Sequence, residues 1–109
     1  MGYYYYSVRS ELFIPCQDAP EVERILKMYG TAWLLTKNDE EDIVGLVHSE
    51  SKSYDAQFLA AIAHLVREGG FVEISGDDDD DRFRLVYRDG KVKKVKAVVL
   101  FPEPPEPEE

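Results

Sequence analysis

Two kinds of hydrophobic pattern follow one another along this chain, and their order restricts the fold more than any other feature. Apolar residues at every second position indicate strands, and apolar residues at every third or fourth position indicate helices. The predicted order is β-α-β-β-α-β-β-β. The strand-type stretches are 3–14, 31–37, 43–49, 71–75, 82–88 and 91–101, and the helical stretches lie within 18–30 and 51–70.

This order predicts the α+β class. Its first six elements match a ferredoxin-like β-α-β-β-α-β sandwich, with two helices on one face of an antiparallel sheet. The last two strands extend that sheet as a C-terminal β-hairpin. We expect one domain over residues 1–101, followed by a Pro/Glu-rich acidic tail at 102–109, whose prolines and like charges favour a solvated, polyproline-like chain.

Local signals mark the ends of the predicted first helix. Asp18 and Glu21 have the spacing of a capping box, and Pro20 falls in the first turn, where its missing N–H costs nothing. Gly30 is suited to end the helix in a left-handed conformation. Ser51 or Ser53 is expected to cap the second helix.

The Asp-Gly pair at 89–90 predicts a two-residue hairpin turn, since both central positions of such a turn take positive φ. Strict alternation from this turn would bury Lys94 and Lys96. We therefore expect a one-residue bulge at 93–94, which turns Lys96 to the outside beside Arg84. The outer face would then be a cationic band, either a solvated strand face or a site for an acidic partner or a phosphate backbone.

Charge is unevenly distributed along the 109 residues, whose formal net charge is −9. Residues 1–81 contain 6 basic and 17 acidic side chains, whereas residues 82–101 contain 7 basic and 1 acidic. The net negative charge argues against nucleic acid and anionic membranes as general partners. No apolar run approaches the ~20 residues that span a bilayer. The single cysteine and the lack of a signal-peptide pattern lead us to expect a cytoplasmic protein.

Five consecutive aspartates, 77–81, precede the basic stretch. A calcium loop of the EF-hand type that began at Asp77 would need Gly and Glu where Arg82 and Arg88 stand, so this type of site is excluded. The aspartates are then a solvated turn that discourages edge pairing, an acidic contact surface or a carboxylate magnesium site. The last is the least favoured, because five adjacent acids in a loop rarely converge on one ion.

Alternation in the first strand places Tyr3 and Tyr5 on the face opposite the core. The core face is expected to carry Tyr4, Tyr6, Val8, Leu12 and Ile14. The two outward tyrosines either fill a strand surface or project into a partner interface, where tyrosine is enriched. The candidate partner-binding residues are Tyr3, Tyr5, Asp77, Asp78, Asp79, Asp80, Asp81, Arg82, Arg84 and Lys96.

The sequence offers little support for enzyme chemistry. His48 and His64 have no neighbouring Cys or His at metal-ligand spacing, and Cys16 lacks the context of a nucleophile. No glycine-rich phosphate loop follows a strand. We therefore expect no catalytic residues, no metal and no cofactor.

The segments "MGYYYYSVRSEL" and "DRFRLVYRDGKV" resemble short proteins of unassigned function in phages and actinobacteria, over about a third of the chain. In those proteins an Arg- and aromatic-rich strand is followed by Asp-Gly and a Lys/Val strand. Phe83 and Leu85 stand here where Trp and Tyr are often found. The resemblance implies a small ferredoxin-like accessory protein and assigns no site residues.

These observations favour a non-enzymatic, protein-binding regulatory protein, such as a phage-type accessory factor or inhibitor that acts on a host protein. The alternative is a nucleic-acid-binding module that uses exposed aromatics and the basic hairpin.

Several strands are apolar on both faces, including 31–35, 43–47 and 98–100. We therefore expect the sheet face away from the helices to be buried in a homodimer or against a partner.

Overall fold

The computed structural model describes residues 3–77 and 81–96 and confirms the α+β class. A four-stranded antiparallel sheet has the order β1-β4-β5-β6, and β2 and β3 pair as a two-stranded antiparallel sheet. The predicted strand residues 97–101, the tail 102–109 and the aspartates 78–80 lie outside the described residues. The elements are β1 (Tyr5–Glu11), α1 (Ala19–Tyr29), β2 (Leu34–Lys37), β3 (Ile43–Val47), α2 (Ala56–Ala61), β4 (Phe71–Gly76), β5 (Arg82–Arg88) and β6 (Lys91–Lys96).

Two serine side chains in β1 join the sheets. The Ser10 hydroxyl donates to the Leu46 carbonyl at 2.9 Å and accepts from the Leu46 N–H at 2.8 Å. Ser7 bonds both backbone groups of His48 in the same way, at 3.2 and 2.9 Å. Serine hydroxyl groups here take the place of some backbone-to-backbone hydrogen bonds between β1 and β3. The two strands therefore lie side by side, although they belong to two separate hydrogen-bonded sheets.

The first helix begins and ends close to the predicted positions. Gly30 has a φ of 61°, and its N–H donates to the carbonyls of Leu26 and Lys27 at 3.0 and 3.1 Å. The expected capping box is wrong, because the Asp18 side chain makes no capping hydrogen bond. Glu21 instead accepts from the Arg24 guanidinium one turn later, at 3.0 Å from Nε.

The second helix is shorter than expected and starts later. α2 spans Ala56–Ala61, a 3-10 turn at Ala63–Leu65 follows, and the N-cap is Asp55 rather than either predicted serine. Asp55 has a φ of 53°, a left-handed conformation that is uncommon for a residue with a side chain. Ser53 supports this bend, since its hydroxyl accepts from the Asp55 N–H at 3.0 Å.

Both helices contribute to one hydrophobic core with the inner sides of the sheets. Two of the largest side chains in the core, Tyr87 and Trp33, end in polar groups that form hydrogen bonds inside it. Tyr87 donates its hydroxyl to the Leu59 carbonyl at 3.0 Å, and Trp33 donates Nε1 to the Tyr54 carbonyl at 2.8 Å. Burial raises the pKa of the Tyr87 phenol well above its usual range. The fully buried side chains of the core include Ile14, Val22, Trp33, Ile43, Phe58, Leu59, Ile62, Val72, Ile74, Phe83 and Tyr87.

The predicted turn between β5 and β6 is confirmed, with φ values of 56° at Asp89 and 72° at Gly90. The predicted bulge is wrong, because pairing runs without a shift from the Arg88–Lys91 pair to the Phe83–Lys96 pair. Lysines therefore point to the core side of β6, and the Lys94 ammonium lies 4.3 Å from the centroid of the Phe83 ring. A long aliphatic stem lets such a lysine cover apolar surface while its charge reaches water.

A bulge does occur in β1, where the register shifts between Ser7 and Arg9. The faces predicted for residues before the shift are reversed, whereas Leu12 and Ile14, after it, are buried as expected. Tyr6 and Val8, expected in the core, are each 37% exposed, and Tyr5, expected outside, packs against the core. The serine bonds to β3 favour this arrangement, since they turn Ser7 and Ser10 to the same side.

A candidate interaction surface on the sheet

The four-stranded sheet has an outer face, opposite the buried side chains of β4 and β5. The antiparallel pairings arrange this face in rows that cross the strands. One row contains Phe71, Val86 and Lys93. The next contains Arg9, Glu73, Arg84 and Val95.

Glu73 stands at the centre of the outer face and is only 4% exposed. Arg84 donates Nε to its Oε1 at 3.1 Å, and Nη1 of Arg82 lies 3.7 Å from its Oε2. A carboxylate removed from water at this position requires such compensation, since an unpaired buried charge is strongly destabilising. Two of the predicted partner-binding residues, Arg82 and Arg84, therefore have a partner inside the protein.

Two guanidinium groups cover the Phe71 ring on the same face. The Arg84 Cζ lies 4.1 Å from the ring centroid and the Arg9 Cζ lies 5.2 Å from it. These distances are those of cation–π contacts. Arg84 is thus held by Glu73 on one side and by Phe71 on the other, which fixes the direction in which its guanidinium points.

A shallow groove of about 300 Å³ lies beside this cluster, on the outer face of β5 and β6. We call it the cationic groove. Its apolar floor and its positive rim come from alternating positions of the two strands. The lining residues are Arg84, Val86, Arg88, Lys93 and Val95.

The charges at the rim differ in how strongly they are paired. Arg88 and Glu68 are both largely exposed, and their closest nitrogen and oxygen atoms are 3.8 Å apart. Such surface pairs contribute about 0–1 kcal/mol. Lys93 is exposed and forms no ion pair with any acidic residue in the described ranges 3–77 and 81–96. The rim therefore presents positive charge that an incoming anion can use.

The structure divides the predicted cationic band. Lys96 pairs with Phe83 on the core side of the hairpin, so it does not stand beside Arg84. Arg88 and Lys93 take its place on the outer face. Plain alternation from the Asp-Gly turn would have identified Lys93, and the expected bulge obscured it.

Two of the five aspartates hold the start of the chain. Asp81 accepts from the Tyr3 hydroxyl at 2.7 Å, and Asp77 accepts from the Tyr4 backbone N–H at 3.0 Å. The Asp81 carbonyl also accepts from the Gly76 N–H at 2.7 Å. Asp77 and Asp81, at the two ends of the acidic loop, therefore stabilise the local structure through these hydrogen bonds.

The predicted tyrosine pair belongs to an aromatic row that runs from the surface into the core. Tyr3 contacts Tyr5 edge-on with ring centroids 5.3 Å apart, Tyr5 contacts Tyr54 at 5.2 Å, and Tyr54 contacts Phe83 at 5.3 Å. Tyr3 is 40% exposed. Tyr5 therefore lies within the protein and away from the outer face.

A second exposed group lies on β1, β2 and β3, and we call it the apolar strip. Leu34 and Val47 are paired across β2 and β3 and are 66% and 49% exposed. The backbone groups of Leu46 and His48 bond the side chains of Ser10 and Ser7. Val47, between Leu46 and His48, is therefore level with Val8, which lies between the two serines in β1. The strip consists of Tyr6, Val8, Leu34 and Val47.

The groups with catalytic or metal-binding potential are dispersed. His48 is buried beside Trp33, with Nδ1 at 2.6 Å from the Ser49 carbonyl and Nε2 at 3.7 Å from Asp55 Oδ2. Cys16 is exposed, and its backbone N–H donates to the Asp42 carboxylate at 2.8 Å. Within the described ranges, no three His, Cys, Asp or Glu side chains are grouped as a metal ion would require.

Comparison with known proteins adds no family. The chain matches no protein-family model, no curated protein and no solved structure. Among residues 3–77 and 81–96, none of the helices has the length and apolar character needed to cross a membrane.

Proposed function

We propose that this chain is a non-enzymatic regulatory protein that binds a protein partner through the outer face of its sheet. The observation that carries the proposal is the cationic groove, which combines an apolar floor with a positive rim in a chain of net charge −9. Locally concentrated charge of the opposite sign steers association and selects partners. Partly buried valines between those charges add area that leaves water on binding.

The same face is less suited to nucleic acid. Single-stranded RNA and DNA are held largely by stacking of bases on exposed aromatic rings. Phe71 pairs with Val86 of the groove, and the guanidinium groups of Arg9 and Arg84 cover its ring. The overall negative charge also opposes binding of a phosphate backbone.

We also infer that the two sheets together form a ferredoxin-like arrangement. Support comes from the backbone bonds that connect β1 and β3, among them Ile14 N–H to the Ile43 carbonyl and the reverse bond, both at 2.9 Å. With β3 beside β1, the strands follow the order β2-β3-β1-β4, and β5 and β6 extend the sheet.

The resemblance to small phage and actinobacterial proteins supports a role as an accessory factor that acts on a host protein. The single cysteine supports a cytoplasmic location.

The apolar strip supports a second contact, a homodimer through the outer side of β1, β2 and β3. Burying Leu34 and Val47 in both copies removes apolar area from water that a monomer leaves exposed. Light scattering of the purified protein at micromolar concentration is expected to give the mass of a dimer. The Leu34→Glu variant is expected to be a monomer, and a monomer mass for the unmodified protein would contradict this part of the proposal.

Affinity capture from nuclease-treated lysate of the source organism, followed by mass spectrometry, tests the protein-binding function. The bait is compared with the double variant Arg88→Glu/Lys93→Glu and with Lys27→Glu/Lys52→Glu, which reverses the same number of charges elsewhere. We expect one set of proteins to be retained by the bait and by the Lys27/Lys52 variant and lost with the groove variant. Equal capture by all three baits would contradict the proposal.

A further inference from the structure

The composition of the cationic groove specifies the chemistry of what it can hold. We propose that the groove binds an extended acidic peptide segment of the partner, with an apolar side chain over the valine floor and carboxylates at the rim. This inference rests on the proposed function and names the partner's class at the same site.

The floor has the dimensions of an extended ligand. Val86 pairs with Lys93 and Arg84 pairs with Val95, so the two valines lie diagonally across β5 and β6. Diagonal neighbours in an antiparallel pair are about 7–8 Å apart, and alternate side chains of an extended peptide repeat every ~6.5–7 Å. An extended peptide whose groove-facing residues, every second one along its chain, include both acidic and apolar side chains can therefore match charge to charge and apolar group to apolar group.

The rim is partly organised before any ligand arrives. Glu73 and Phe71 fix the Arg84 guanidinium, whereas Arg88 and Lys93, which also line the groove, are exposed. A guanidinium that is already oriented loses little conformational freedom when it binds a carboxylate, and the resulting bond is charge-assisted. A carboxylate is thus an anion that this geometry can hold.

The test is an amide NMR titration of the full-length protein at ~50 mM salt, where charge contacts are strongest. The probe is a synthetic peptide with the sequence of residues 101–109, FPEPPEPEE, in which both the odd and the even positions contain glutamate and apolar residues. Its counterpart has glutamine at every glutamate. We expect shift changes within 84–88 and 91–95 and an affinity about tenfold weaker for the glutamine peptide. Equal affinity for both peptides, or changes confined to other segments, would overturn the proposal.

Variants assign the site. Lys93→Glu is expected to weaken binding of the acidic peptide about tenfold. The matched control Lys52→Glu, which reverses the charge of an exposed lysine that does not line the groove, is expected to leave the affinity unchanged. Equal weakening by both variants would show a general charge effect and overturn the site. Tighter binding of a thymidine oligonucleotide than of the acidic peptide would also overturn it, in favour of nucleic acid.

The protein's own acidic terminus is tested in parallel. A full-length variant with Gln at positions 103, 106, 108 and 109 is expected to bind the peptide with about the same affinity as the unmodified chain. Binding that occurs only in this variant would assign the groove to the chain's own tail and overturn the partner assignment. If peptide binding fails while affinity capture still depends on the sheet face, this inference alone is lost and the proposed function stands.

Discussion

The Glu73→Gln substitution perturbs the centre of the outer face with almost no change in shape. Glu73 is 4% exposed, and its two oxygens lie 3.1 Å from Arg84 Nε and 3.7 Å from Arg82 Nη1. The amide keeps an acceptor for one arginine but removes the charge that both guanidinium groups face. Hydrogen bonds to charged groups contribute about 1.5–3 kcal/mol, and breaking a fully buried pair costs about 3–5 kcal/mol.

The expected loss for Glu73→Gln is smaller than that of a fully buried pair. The side chains of Arg82 and Arg84 are 34% and 26% exposed, so water can solvate them once the carboxylate is gone. We therefore expect the free energy of unfolding to fall by about 2 kcal/mol. With a urea m-value of about 1–2 kcal/mol/M, the midpoint of unfolding moves down by about 1–2 M.

Urea unfolding followed by Trp33 fluorescence measures this effect, because that side chain is buried in the core. The matched control is Glu11→Gln, which removes an exposed carboxylate from the neighbouring strand, where Arg9 is its partner at 3.1 Å. That control is expected to change the free energy of unfolding by less than about 0.5 kcal/mol. Equal midpoints for the two variants would refute the argument that Glu73 compensates the arginines.

Two further substitutions test the core. Tyr87→Phe removes the hydrogen bond to the Leu59 carbonyl and is expected to cost about 1 kcal/mol in urea unfolding at pH 7. The pKa of Tyr87 is raised in the folded protein, so unfolding releases its proton once the pH exceeds ~10, where the unfolded tyrosine ionises; stability then falls by up to ~1.4 kcal/mol per pH unit, and Tyr87→Phe should lessen that fall. An equally steep alkaline loss in the variant would contradict this assignment. Gly70→Ala places a Cβ 2.8 Å from Leu12 Cβ and 3.1 Å from its Cα, so a loss of about 1–3 kcal/mol in thermal or urea unfolding is expected. An unchanged midpoint would show that Leu12 can move away.

Features that depend on a few neighbouring residues could be predicted from the sequence. The turn at 89–90 and the helix end at Gly30 require positive φ, and the residues that tolerate such backbone angles are few. The helical period of α1 predicts a buried stripe of Val22, Ile25, Leu26 and Tyr29. The first two are buried and Leu26 packs against the core, whereas Tyr29 is 45% exposed. These predictions needed no knowledge of the rest of the fold.

Features that depend on distant residues could not be predicted. The bulge in β1 accompanies serine bonds to β3, whose backbone lies 36 to 41 residues away in the chain. The regular register of β6 places Lys94 where an apolar residue was expected, and the Phe83 ring 11 residues earlier accommodates it. Likewise, pairing of Arg82 and Arg84 with a buried Glu73 follows from strand order, which hydrophobic period alone does not reveal.

Crosslinking at lysines tests most directly whether the outer face of β5 and β6 is the surface that binds the partner. Lys91 and Lys93 lie on that face, whereas Lys27 in α1 and Lys52 before α2 are exposed elsewhere. An amine-reactive crosslinker is applied to the protein bound to its captured partner, and the linked peptides are identified by mass spectrometry. We expect partner crosslinks from Lys91 and Lys93, most of them to sites beside acidic segments. Partner crosslinks from Lys27 and Lys52, with none from Lys91 or Lys93, would contradict it.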